Sequence, residues 1–189
     1  GGGGTTLTEY GENLLKTYFL LKAEQKKFIE NLNRITDLNT GTLKDIRRLS
    51  MQISARNQIS GIVELISNGT VNAEIYIKLK SGYTIVSVIT KTAVNNLDLK
   101  LGDEVVAIFK SSTVLITTDI TLNISARNKL QGKIDSIHQG EINSELIIDI
   151  GNGDKIASVI TSNSIARLNI KEGAQVSAII KASDVMLGK

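Results

Sequence analysis

Four polar residue types recur in matched positions along this chain: Ser54, Arg56, Thr90 and Lys110, then Ser125, Arg127, Thr161 and Lys181. Each carries a hydrogen-bond donor and none is a carboxylate. A tetrahedral dianion asks for such a set: several inward-pointing hydroxyl and backbone N–H donors, with guanidinium and ammonium charge to balance it. The anion would be held by hydrogen bonds and not by bonds to a central atom. A donor-only site also disfavours monohydrogen phosphate, whose O–H would meet no acceptor, and pocket size would separate a larger oxyanion from sulfate. Taken singly, the serines have an ordinary explanation as caps or turn residues, and the arginines and lysines as solvated strand ends. Recurrence of the same four types at the same offset favours a binding role.

Other chemistries find little to work with. Cysteine is absent, which removes disulfides, thiolate metal sites and cysteine nucleophiles. The single histidine, His138, has Ser67 as its counterpart in the other half, so it reads as a surface residue and supports neither a transition-metal site nor a Ser-His-acid triad. Glu74 and Glu145 recur, but read as isolated strand residues and not as a catalytic pair. Gly1–Gly4 lacks the Gly-Lys-Ser/Thr that would make a phosphate loop, and reads as a flexible run: a cloning scar, a linker or the end of a preceding domain. The expectation is a binding protein, not an enzyme, with no metal bound directly by side chains.

The elements that would position these residues follow from an internal repeat. Ser54 to Ile116 aligns without a gap on Ser125 to Leu187, and 25 of the 63 pairs are identical. Shared positions include Ser-Ala-Arg-Asn at 54–57 and 125–128, Ser-Val-Ile-Thr at 87–90 and 158–161, and the glycine pairs 61/132, 69/140, 82/153 and 102/173. Strand-period alternation runs through Tyr76 to Leu79, Ile85 to Thr90 and Val105 to Phe109, with short helical turns at Thr92 to Leu97 and Ser162 to Leu168. The fold class expected is mainly β with an N-terminal helical segment: two tandem OB-like five-stranded β-barrels with Greek-key topology. Domain boundaries are expected at 1–50, 51–120 and 121–189. A repeat of about 65 residues is small for an independent domain, so the two should pack together.

The first 50 residues have helical periodicity. Thr6 and Glu9 have capping-box spacing, and Leu14, Tyr18, Leu21, Phe28, Leu32 and Ile35 form a coiled-coil-like seam interrupted by Gln25. Self-association through this helix is one reading and packing on a neighbouring domain the other. A second helix is expected from Thr42 to Leu49. With 22 basic and 19 acidic residues, the net charge of +3 does not describe a nucleic-acid-coating surface. No apolar stretch is long enough for a membrane-spanning helix and no signal segment opens the chain, so a cytoplasmic location is expected.

At Ser54-Ala55-Arg56-Asn57-Gln58, Gly61 and Lys110-Ser111-Ser112-Thr113-Val114 the sequence resembles the Mop domain of molybdate-binding proteins. Ser125-Ala126-Arg127-Asn128 to Lys181-Ala182-Ser183-Asp184-Val185 resembles it again, as the second half of a di-Mop module. Leu7-Thr8-Glu9-Tyr10-Gly11 and the seam helix resemble the wing end and dimerisation helix of ModE-type regulators. That resemblance implies molybdate or tungstate as ligand, a homodimer through the helix and Mop domains, and operator DNA as partner of a full-length protein whose winged helix-turn-helix is mostly missing here. It implies molybdate ligands at Ser54, Arg56, Thr90 and Lys110 with backbone groups near Ala55 and Ser111, in sites between subunits. A second site would use Ser125, Ala126, Arg127, Thr161, Ser164, Lys181 and Ala182. Where copy two has Ser164, copy one has Ala93, which puts one hydroxyl contact of the first set in doubt. The alternatives are a molbindin-type storage protein without DNA output and a nucleic-acid-binding OB module, the latter weakened by 4% aromatic content.

Overall fold

The computed structural model describes residues 8–35 and 54–189, which fall into two units, 1–54 and 55–189. In the first unit, α1 spans Glu9–Ile35. Its N-terminus is capped by Thr8, whose Oγ1 accepts from Gly11 N at 3.2 Å, and Glu9 and Glu12 place negative charge in the first turn. The cap is therefore Thr8, two residues after the expected Thr6. Leu14, Tyr18 and Leu21 of the expected seam are exposed, and so are Leu15, Phe19 and Leu20. The apolar face is thus broader than a two-position seam. The helix expected at 42–49 lies outside the described residues, as do Gly1–Gly4 and Thr6.

The second unit holds both repeats. In the first, β1 (Asn57–Asn68), β2 (Asn72–Leu79), β3 (Thr84–Thr90), α2 (Lys91–Asn96), β4 (Glu104–Phe109) and β5 (Leu115–Thr117) follow in order. The second repeats the series as β6 (Asn128–His138), β7 (Asn143–Gly151), β8 (Asp154–Thr161), α3 (Ser162–Arg167), β9 (Gln175–Ile180) and β10 (Met186–Gly188). Two five-stranded antiparallel sheets result, as the sequence led one to expect. Each contains the Greek-key order in which the fourth strand returns beside the first.

The fifth strands, however, are exchanged. The sheets run β10-β4-β1-β2-β3 and β5-β9-β6-β7-β8, so each repeat's last strand completes the other repeat's sheet. Leu187 pairs with Ala107, and Ile116 with Ala178, at matched positions. Alternate residues of each strand point into one contiguous core drawn from both repeats, including Ile75, Ile77 and Phe109 from the first and Leu146, Ile148 and Ile180 from the second. Val114 and Val185, where the chain leaves one repeat for the other, are also buried. Gly61 marks a close approach: a Cβ there would lie 2.5 Å from Ile77 Cγ2 and 2.6 Å from Lys78 O. Just beyond it, the β1–β2 register shifts between Val63 and Leu65, and β6 shifts in the same way between Ile134 and Ser136.

Polar side chains fasten the repeats reciprocally. Asn57, 2% exposed, donates to Ala157 O at 2.8 Å and accepts from Ala157 N at 2.7 Å, while Asn128 does the same with Val86 at 2.8 and 2.7 Å. Ser87 Oγ donates to Val185 O at 2.6 Å and Ser158 Oγ to Val114 O at 2.8 Å. Buried amides and hydroxyls are tolerated because these bonds satisfy them.

Candidate functional site

Arg56 stands one residue before β1 and Lys110 one residue after β4. Because Asn57 and Phe109 are the terminal register pair of those strands, both charges leave the same end of one sheet. Arg127 and Lys181 repeat this around the pair Asn128 and Ile180. Lys110 is exposed and extended, and it opens a 3-10 turn, Ser111–Thr113, in which Thr113 N and Oγ1 both donate to Lys110 O at 3.2 and 2.9 Å. Ser111 is half-buried in this turn, and its counterpart Ala182 is buried. Ala55 is buried, Ala126 half-buried, and Ser54 and Ser125 are exposed.

Thr90 and Thr161 end β3 and β8 and cap the short helices that follow. Thr90 Oγ1 accepts from Ala93 N at 3.1 Å, and Thr161 Oγ1 from Ser164 N at 3.2 Å. A hydroxyl used this way keeps its own proton for donation. Thr161 Oγ1 also lies 2.8 Å from Ser164 Oγ, a contact that Ala93 cannot offer Thr90. Nearby, buried Ser144 Oγ lies 2.7 Å from Ser162 Oγ, which donates to Gly140 O at 2.7 Å. Neither Ser144 nor Ser162 recurs, their counterparts being Ala73 and Lys91, so recurrence does not single them out in the sequence.

Within one repeat the structure groups Arg56 with Lys110 and Ser111, but places Thr90 elsewhere. Thr90 pairs with Asn72 at the start of β2, which adjoins the far end of β1 through the pair Asn68 and Ala73. Arg56 instead reaches the other repeat. Its Nη2 lies 3.0 Å from both carboxylate oxygens of Glu145, in β7. Arg127 reciprocates, with 3.4 Å contacts to both oxygens of Glu74 in β2 and a 2.8 Å bond from Nη2 to Tyr76 Oη, which itself donates to Glu74 at 2.8 Å.

These contacts correct two expectations. Glu74 and Glu145 are not isolated strand residues, and the arginines do not sit in an environment of donors alone. An arginine at each site already has a carboxylate, so each site holds an acceptor for the O–H of monohydrogen phosphate. The signal was present in the sequence: Glu74 and Glu145 recur at the same offset as the arginines. His138 is exposed in β6, beside Glu145 in register. Among the described residues no cluster of three or more His, Asp or Glu could hold a metal ion.

The TOBE domain family matches residues 53–116 and 124–187. Paired five-stranded sheets, each with a lysine-led turn and an arginine at one end, are thus a tandem TOBE-domain arrangement. Over nearly the whole chain there are curated relatives. The molybdenum transport protein ModE of Azotobacter vinelandii is 37% identical over 98% of this chain and 71% of its own length. The DNA-binding transcriptional dual regulator ModE of Escherichia coli is 32% identical over 99% and 71%. The molybdenum-pterin-binding protein MopB of Rhodobacter capsulatus is 31% identical over 98% and 68%. The solved structure of the cytoplasmic molybdate-binding protein ModG, in a form with molybdate bound, matches with a TM-score of 0.70 and 42% identity, covering 73% of this chain and 99% of that one. This chain belongs to the ModE family.

Proposed function

We propose that this chain binds molybdate, or tungstate, through the ends of its two sheets, and that it is the sensing and dimerising part of a molybdate-responsive transcriptional regulator in the cytoplasm. The observation that carries the reading is the meeting of Arg56, Lys110 and the Ser111 turn at one sheet end, in a family whose relatives are named for molybdate or molybdenum. Two cationic residues and the opening of a 3-10 turn lie together there, the charge and donor types that a tetrahedral dianion requires. Two charges and a turn do not surround an anion. Thr90, held at the far end of β1, is available to a neighbouring subunit, in keeping with sites between subunits. Arg127, Lys181 and the Thr161–Ser164 hydroxyl pair are the corresponding components of a second site, with Ser125, Ala126 and Ala182 beside them.

A regulator is favoured over a storage protein by α1. The transcriptional dual regulator ModE matches 99% of the chain, α1 included, and MopB matches 98%, whereas the ModG structure matches 73% of it. The exposed apolar face of α1 suits a homodimer, and residues 1–50 would then join a DNA-binding domain to the two domains at 51–120 and 121–189. The relatives' names are those of molybdenum-transport, molybdate-binding and regulatory proteins, so catalysis forms no part of the proposal. The deciding measurement is the melting shift with molybdate, tungstate, sulfate and phosphate at matched ionic strength. Ligand at a hundredfold over its Kd stabilises by about 2.7 kcal/mol. A shift with molybdate and tungstate alone supports the reading; equal or absent shifts with all four would overturn it.

A further inference from the structure

We propose that Glu145 and Glu74 are positioning residues for the anion site, each orienting from one repeat the arginine that serves the other. The inference rests on the molybdate reading above and adds two acidic residues to it. An acidic group beside a dianion weakens its binding by simple charge, so its presence at both arginines calls for a role that offsets the repulsion. The geometry supplies one. Arg56 precedes β1, and its side chain is 67% exposed, while the Glu145 side chain is 17% exposed and fixed within β7 between His138 and Val159. The rigid partner thus holds the mobile one.

An exposed arginine left to itself spreads over many rotamers, and ordering it on a ligand costs about 2 kcal/mol of rotamer entropy. Glu145 takes up that cost in advance through one nitrogen, Nη2, while the three N–H groups on Nε and Nη1 stay outside the pair. Arg127 is held differently: its carboxylate contacts are longer, 3.4 Å, and Tyr76 Oη supplies a bond of 2.8 Å. Tyr76 has Ile147 as its counterpart, so among the described residues no tyrosine holds Arg56 in the same way. Loss of Glu145 should therefore cost more binding than loss of Glu74.

The test is calorimetric titration of the full chain with molybdate, for wild type, E145A, E145Q, R56A and the E145A/R56A double variant, alongside E74A. E145A is expected to weaken binding about tenfold, the lower end of what removing a ligand-orienting partner costs at metal sites. E145Q is expected to recover most of that loss, because its amide oxygen still accepts from Nη2. R56A and the double variant should bind alike, and E74A should lose less than E145A. Unchanged or tighter binding by E145A, equal losses in E145A and E145Q, or an E145A effect that persists in the R56A background would each overturn the proposal. If wild type itself fails to bind molybdate, the functional reading falls and this inference with it. Wild-type binding with an indifferent E145A overturns the positioning role alone.

Discussion

Arg56 and Lys110 both sit just outside paired strands, so replacing either by alanine takes away charge without opening a cavity. Each substitution is expected to weaken molybdate binding by roughly ten- to a hundredfold, the ~1.5–3 kcal/mol associated with a hydrogen bond to a charged group. Ligand-free melting should stay close to wild type for Lys110→Ala and fall modestly for Arg56→Ala, which leaves the 17% exposed Glu145 carboxylate without its partner. His138→Ala, at an exposed position beside Glu145 in register, should weaken binding less than either substitution. A larger loss from Arg127→Ala or Lys181→Ala would make copy two the principal site. The donor residues were legible because polar identity recurring at a fixed offset is not demanded by packing. Their partners were less so: Glu74 and Glu145 satisfy the same criterion, yet a carboxylate does not fit a search for anion donors, and only the packing of one repeat on the other shows what it does.

Among the elements, the buried amides of Asn57 and Asn128 each fasten one repeat to the other through two bonds. Asn128→Ala leaves Val86 N–H and C=O buried without partners, which should cost about 2 kcal/mol or more in denaturant unfolding. Gly61→Ala should cost about 1–3 kcal/mol by overpacking against Ile77 and the Lys78 carbonyl. The exchanged β10 has an acid-sensitive anchor. Lys189 Nζ lies 2.8 Å from Asp103 and donates to Asp98 O at 2.6 Å, and the hydrogen bond from Lys189 lowers the Asp103 carboxyl below its ordinary 3.8. A carboxylate lowered on folding stabilises fully above that ordinary value and loses its contribution as pH falls through the lowered one. Melting followed from pH 6 down to pH 2 should therefore decline less steeply for Lys189→Ala than for wild type. β2 begins at Asn72, four residues before the expected Tyr76, whereas β3, β4 and both short helices were readable from alternation and from turn glycines to within a residue. Strand exchange was not, because β5 and β10 are three residues long and their pattern fits either sheet; the geometry of the turns at Lys110 and Lys181 decides which sheet they enter.

At the scale of the β unit, exchanged strands and a contiguous core leave neither repeat a complete folding unit. Residues 55–189 should melt in one cooperative transition seen alike by calorimetry and circular dichroism; two separated transitions would show that the repeats fold independently. A chain cut to residues 54–124 keeps β5 but has no β10 beside β4. It should recover the missing edge from a second copy and elute as a dimer, since swapping an identical element is a low-cost route to association. That same exchange bears on how the two halves came to differ. Two identical chains trading a strand must accept every substitution twice, once on each side of the assembly. Joined in one polypeptide, the halves mutate separately, so Ser111 can stand where the other half has Ala182, Ala93 where it has Ser164, and Tyr76 can support one arginine alone. The tether that enforces symmetry of assembly is therefore what releases the sequence from symmetry, and gives a duplicated gene room to make its two sites unequal.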